Sequence, residues 1–253
     1  MSIDFLSLIT AVFIGGAAGY IGSLMATRKM VLAGDVLSHV ALPGVGLAFL
    51  YGINMSLGAL ASLLIGTIVI WALEIKTKLA VETLVGVVFV LSLAVGYLIT
   101  PDEELIHALF GDISRISAAD AVSAVVVAIL VFFLIRKIYP KLMLAYVSED
   151  LALAGKVKIW KYNLIYLLSI ALIIAFGVKV AGTLLTSALI ILPAAASRNF
   201  SRSMFQYSYA AMIAGAVTAG SGVALAGIFG WPVGPVIILV NALIFGWSLL
   251  LKK

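Results

Sequence analysis

The chain has 253 residues, 64% of them hydrophobic and 11% charged, whereas a soluble domain averages about 45–50% apolar and about 25% charged residues, so this composition excludes a water-soluble fold. It contains no cysteine, which excludes disulfides, thiolate metal sites and cysteine nucleophiles and leaves nitrogen and oxygen as the donors for any metal. The net charge of +5 comes from lysines and arginines scattered between apolar segments, never in a run or an aromatic-interleaved patch, which excludes a nucleic-acid surface.

Nine apolar stretches are marked, at about 5–26, 30–50, 55–74, 81–100, 119–138, 162–179, 181–198, 204–229 and 233–251. Each is near the length that crosses about 30 Å of hydrocarbon as helix. A backbone in lipid must satisfy its own hydrogen bonds, and the stretches are too long and too continuously apolar for barrel strands. The expected fold is therefore all-α, a polytopic transmembrane bundle of eight to nine spanning helices forming one domain over residues 1–253. The first stretch is expected to be a retained span, because MSIDF lacks the basic region of a cleavable signal peptide. With the amino terminus outside, fourteen of the sixteen lysines and arginines fall on the cytoplasmic side, leaving only Arg115 and Lys179 outside. That orientation puts Asp4, Asp102, Glu103, Glu104, Asp112 and Asp120 at an external mouth suited to cations.

The second stretch, VLAGDVLSHVALPGVGLAFL, carries the most informative residues. Asp35 and His39 are four apart and stack on one helical face. An aspartate in a span costs several kcal/mol unless it faces a partner or a wet cavity. Carboxylate oxygen and neutral imidazole nitrogen make a two-ligand start on Zn²⁺, Mn²⁺ or Fe²⁺, too few to close a site; a hydrogen-bonded tether between helices and a proton relay are the alternatives. Pro43 has no N–H to return to the His39 carbonyl, which frees an acceptor beside the pair. Ser38, Gly34, Gly44 and Gly46 thin the helix and permit close approach or a bend.

Further along, Glu74 and Glu82 lie near span ends, where snorkelling or pairing with Lys78 is expected. The outer connection, residues 101–120, holds His107, with Glu103 one turn earlier and Asp112 nearby; this group either hands a cation inward or is an ordinary solvated cluster. The inner connection, residues 138–163, opens with Pro140. Ser148 is the expected N-cap of a short helix over 149–154, with Glu149 and Asp150 in its first turn and Gly155 as its C-cap. A solvated interfacial loop is the alternative there. GDVLSHVALPG and LLTSALIILPA share a weak likeness, which either an inverted repeat or the general abundance of proline in membrane helices explains. Gly15 with Gly19, and the run AGAVTAGSGVALAG at 214–227, read as close helix packing. No GxxxxGK[ST], HExxH or GxSxG motif occurs, so the chain carries no P-loop ATPase site of its own and no such protease or hydrolase signature.

GDVLSHVALPGVGLAF at 34–49 resembles the GDALSHAVLPG signature of the ABC-3 permeases, the membrane subunits of bacterial zinc, manganese and iron(II) importers. KVAGTLLTSALIILPAAASR at 179–198, LFGDISRIS at 109–117 and EDLALAGKV at 149–157 resemble further stretches of that family, in order along nearly the whole chain. Val36 and Asp112 depart slightly from its pattern. The resemblance implies a multi-pass permease of a bacterial-type cytoplasmic membrane, moving Zn, Mn or Fe(II) inward without a permanently bound cofactor. It implies a second copy of itself, cytoplasmic ABC ATPase subunits and an external metal-binding protein as partners. Asp35 and His39 fall on motif positions expected to meet the metal, and residues 149–157, with Glu149, Asp150, Leu151, Ala154 and Gly155, would be the coupling helix that docks on the ATPase. A proton-coupled secondary transporter and an ABC permease for a larger metal chelate are the rival readings.

Overall fold

The computed structural model describes residues 5–101 and 117–250, and every regular element among them is a helix. In chain order these are α1 (Phe5–Thr27), α2 (Val31–His39), α3 (Leu42–Leu50), α4 (Met55–Thr77), α5 (Val81–Ile99), α6 (Ala118–Val147), α7 (Glu149–Ala154), α8 (Ile159–Ala181), α9 (Thr183–Arg198), α10 (Met204–Phe229) and α11 (Val233–Leu250). Side-chain caps begin several of them. Asn54 accepts from the Ser56 N–H at α4, Ser148 from Leu151 at α7 and Ser203 from Gln206 at α10. At α6, Ser117 and Asp120 form a reciprocal capping box, which places Asp120 at that helix start.

Among the described residues, eight helices are long and apolar enough to cross a membrane, α2 and α3 counting together as one broken span from Val31 to Leu50. The stretch expected as a ninth span, 181–198, is α9. It has 16 residues, about 24 Å at 1.5 Å per residue, which falls short of the ~30 Å hydrocarbon core. Gly182, at φ 80°, makes the reversal between α8 and α9. A side chain is strained in that conformation, and glycine is not.

The helix α1 sits centrally, packed against α10, α9, α6 and α8. Gly15 and Gly19 let it approach α10 so closely that a Cβ at either would overlap the carbonyl oxygen of Gly215 or Ala211. Dispersion grows with such approach, and in a bilayer packing rather than water exclusion drives helix association. The small-residue stretches are thus packing seams, as their spacing implied.

The connection expected to open at Pro140 is instead helix: α6 runs for 30 residues through that proline to Val147. Pro140 removes one backbone hydrogen bond, a cost of about 3 kcal/mol in a helix interior. Burial of Ile138 and Leu142 on either side holds the two halves in line. The short helix α7 follows as expected, capped by Ser148 and Gly155. The left-handed residue at its end is Lys156 (φ 54°), not the glycine, whose φ is −75°.

Candidate metal-binding site

The site is built on the broken span. After His39 the helix tightens: Val40 N–H donates to Leu37 O at 3.0 Å and Ala41 N–H to Ser38 O at 3.3 Å, both three residues back. α3 then restarts with Pro43 in its first turn, where a missing N–H is tolerated. Pro43 cannot return a hydrogen bond to the His39 carbonyl, so the acceptor inferred from the sequence lies at this break. The Ser62 hydroxyl of α4 donates to the neighbouring Val40 carbonyl at 2.6 Å. Gly44 and Gly58 close the α3–α4 contact backbone to backbone, and a Cβ on either would overlap the other's carbonyl oxygen.

Within α2 the two faces differ. Ala33, Gly34, Leu37 and Ser38 are buried against α9, α5 and α8, whereas Leu32, Asp35 and His39 lie on the opposite, incompletely covered stripe. Leu32 is 74% exposed at its lower end, and Asp35 and His39 are half-buried above it. Ser38 fixes the orientation. It is wholly buried, and its hydroxyl lies 2.6 Å from the Asp35 carbonyl and 2.8 Å from the Thr183 carbonyl at the start of α9. With one proton to donate, it bridges the two acceptors and ties α2 to the α8–α9 reversal.

The acid and imidazole are thus one turn apart, about 6 Å of helical rise, on a face that the other described residues cover only in part. The His39 ring centroid lies 5.5 Å from that of Phe89 on α5, tilted by 59°, which holds the imidazole plane. Its Nδ1 is buried with no hydrogen-bond partner. No cluster of three or more His, Asp or Glu side chains exists among the described residues. Among the described residues, Asp35 and His39 are the acid and imidazole on this stripe of α2.

His107, Glu103 and Asp112 lie outside the described residues. Glu74 is placed differently from expectation: its Oε1 accepts from Asn163 Nδ2 at 3.0 Å, not from Lys78. Asn163 Oδ1 in turn accepts from Arg28 Nη2 at 3.1 Å, and the Arg28 guanidinium stands 5.0 Å over the Tyr166 ring. The chain Arg28–Asn163–Glu74 joins the ends of α1, α8 and α4. Sequence reasoning missed it; a single amide near the start of an apolar stretch was the only signal. Ser62 and Thr183 were missed as braces for the same reason, since hydroxyls are common in membrane helices.

Set on this fold, the motif has relatives. A model of the ABC 3 transport family matches residues 3–252. The chain belongs to that family. This permease is 31% identical over 243 residues to the manganese import system permease protein ScaB of Streptococcus gordonii, covering 94% of this chain and 87% of ScaB. It is 30% identical over 254 residues to the high-affinity zinc uptake system membrane protein ZnuB of Haemophilus influenzae, covering 98% and 97% of the two chains. Its fold matches PsaBC from Streptococcus pneumoniae, solved in complex with Fab, with a TM-score of 0.78 at 29% identity over 96% of this chain and 89% of that one. The permease is accordingly a multi-pass membrane protein with an all-helical fold.

Proposed function

We infer that this permease is the membrane-spanning subunit of an ATP-driven importer for a divalent transition-metal ion, and that Asp35 and His39 are the side chains that meet the ion in transit. One observation carries the reading: an acid and an imidazole share the stripe of α2 that the other described residues cover only in part. A polar pair kept inside a span for stability alone would be expected to face a partner on a neighbouring helix. The manganese and zinc relatives support a transition-metal cargo, and Asp plus His suits Mn²⁺, Fe²⁺ and Zn²⁺ alike.

The chemistry follows from the ligand count. One carboxylate and one neutral imidazole supply a single negative charge and two donors, so a divalent ion keeps part of its water shell on one copy. A second copy across a two-fold axis would add the same pair, giving four side-chain donors and two negative charges, enough to neutralise the ion. Such a site binds well enough to admit the ion and weakly enough to release it. Ser38 keeps the pair aimed at the partly covered face, and Phe89 limits rotation of the imidazole. ATP is hydrolysed by a cytoplasmic partner docked on α7, where Leu151 and Leu153 are 61% and 57% exposed while Ala152 is anchored inside. Glu149, Asp150, Ala154 and Gly155 shape that docking helix, and an external metal-binding protein delivers the ion to a permease in the cytoplasmic membrane.

The test is metal accumulation in cells carrying the permease with its own ATPase and binding protein. Asp35→Ala and His39→Ala are expected to reduce accumulation to the level of cells without the permease, with unchanged amounts of protein in the membrane. Wild-type accumulation in either variant would remove that residue from the pathway. Uptake that persists when the ATPase is inactivated would favour the proton-coupled alternative.

A further inference from the structure

At the basic end of the bundle a cavity of about 470 Å³ opens between α1, α6, α10 and the turn joining α9 to α10. Lys29, Arg198 and Arg202 line it together with Ser201, Ser203 and Tyr207, and no carboxylate is among its lining residues. Tyr207 is 5% exposed, and its hydroxyl is buried without a hydrogen-bond partner. Three cations gathered at one cavity with no carboxylate among its lining residues suit a phosphate-like anion. Ser203 also caps the 26-residue α10, whose positive N-terminal end lies at the same wall.

A second feature lies directly above it. The same three helices, α1, α6 and α10, enclose an apolar groove of about 270 Å³ lined by Phe13, Gly16, Phe132, Met212 and Ala216 among others. Along α10, Met212 and Ala216 are five and nine residues beyond Tyr207, about 8 and 14 Å at 1.5 Å per residue. Along α1, Ala17 stands nine residues from Ala26, about 14 Å, and along α6 Phe133 stands thirteen from Tyr146, about 20 Å, so the groove begins about 8–20 Å from the basic cavity and reaches the bilayer midplane. The aromatic rings of Tyr20, Phe132 and Tyr209 pack at 5.0–6.1 Å beside the groove, which Phe132 also lines. Met204 and Phe205, both exposed, flank the basic cavity where a bilayer interface would begin.

We propose that these helices hold an anionic phospholipid of the inner leaflet, its phosphate among Lys29, Arg198 and Arg202 and an acyl chain in the groove above. Charge complementarity and the stacking of a basic cavity under an apolar groove on one set of helices select an amphiphile over a free anion. Tyr146, two residues before the Ser148 cap of α7, forms part of the cavity wall, so an occupant here touches the segment leading into that helix.

The experiment is native mass spectrometry of the delipidated, full-length permease titrated with phosphatidylglycerol or phosphatidylcholine of matched chains. Wild type is expected to retain phosphatidylglycerol at about tenfold or more lower lipid concentration, given the roughly 1 kcal/mol per basic residue near an anionic headgroup. Arg198→Gln with Arg202→Gln should erase that preference, and Arg198→Lys with Arg202→Lys, which keeps both charges and reports on folding, should retain it. Ala216→Phe, which fills the groove, should weaken retention of both lipids while keeping the order between them. Equal retention of the two lipids by wild type, or a preference that survives the glutamine pair, would overturn the proposal. So would displacement of phosphatidylglycerol by millimolar inorganic phosphate, which would mark a free-anion site, or by the ATPase subunit, which would mark a protein contact.

Discussion

An aspartate in a span admits two physical accounts, and the choice of substitution separates them. As a tether, Asp35 needs only an acceptor of the right size, which asparagine retains. As a ligand for a divalent ion it needs the negative charge. Asp35→Asn is therefore expected to leave the thermal unfolding midpoint in detergent unchanged while abolishing metal accumulation; retained accumulation would return the residue to a tethering role. Ser38 is a different case, because its hydroxyl is sealed and bridges two carbonyls. Ser38→Ala leaves the Thr183 carbonyl without that donor, which costs about 1–3 kcal/mol for a buried acceptor. A lowered unfolding midpoint, with accumulation reduced rather than lost, is the expected result; an unchanged midpoint would show that α2 is held by packing alone.

Helices in this fold are matched by how closely their backbones approach. Gly19 and Gly86 make the contrast: a Cβ at the first would overlap the Ala211 carbonyl, while at the second nothing lies within 4 Å. Gly19→Val is expected to destabilise by about 1–3 kcal/mol or more through overpacking. Gly86→Ala should be neutral or stabilising by up to about 1 kcal/mol, because alanine favours helix. Paired melting curves decide it, and equal shifts would mean that the α1–α10 seam does not set stability. For α7, Leu151→Asp puts a charge on an exposed apolar position without disturbing the buried Ala152. Co-purification of the ATPase is expected to fall with the permease still folded; undiminished co-purification would place docking elsewhere.

Across the whole molecule, Arg28, Asn163 and Glu74 link three helices that are far apart in the chain. Asn163→Ala removes the middle member and leaves a half-buried carboxylate without its amide donor, so a loss of about 1–3 kcal/mol is expected, against almost none for exposed Asn54→Ala beyond its helix-cap contribution of about 1 kcal/mol. Much of the architecture was legible in advance because the relevant signals are local. Runs of apolar residues locate the spans, the four-residue spacing of Asp35 and His39 puts them on one face, and Ser148 announces α7. Pro140 misled for the converse reason: its local cost is real, but the burial of Ile138 and Leu142 against other helices outweighs it. Glu74 was paired with its sequence neighbour Lys78, whereas the fold brings Asn163 to it from 89 positions away. By itself the sequence determined a helical membrane bundle, the acid and imidazole it carries and the short helix past α6, since composition and periodicity act within a few turns. Tertiary packing alone decided which stripe of α2 stays partly exposed, which hydroxyls brace its break and how α1, α6 and α10 line both a basic cavity and an apolar groove, since each depends on side chains that meet only once the helices assemble.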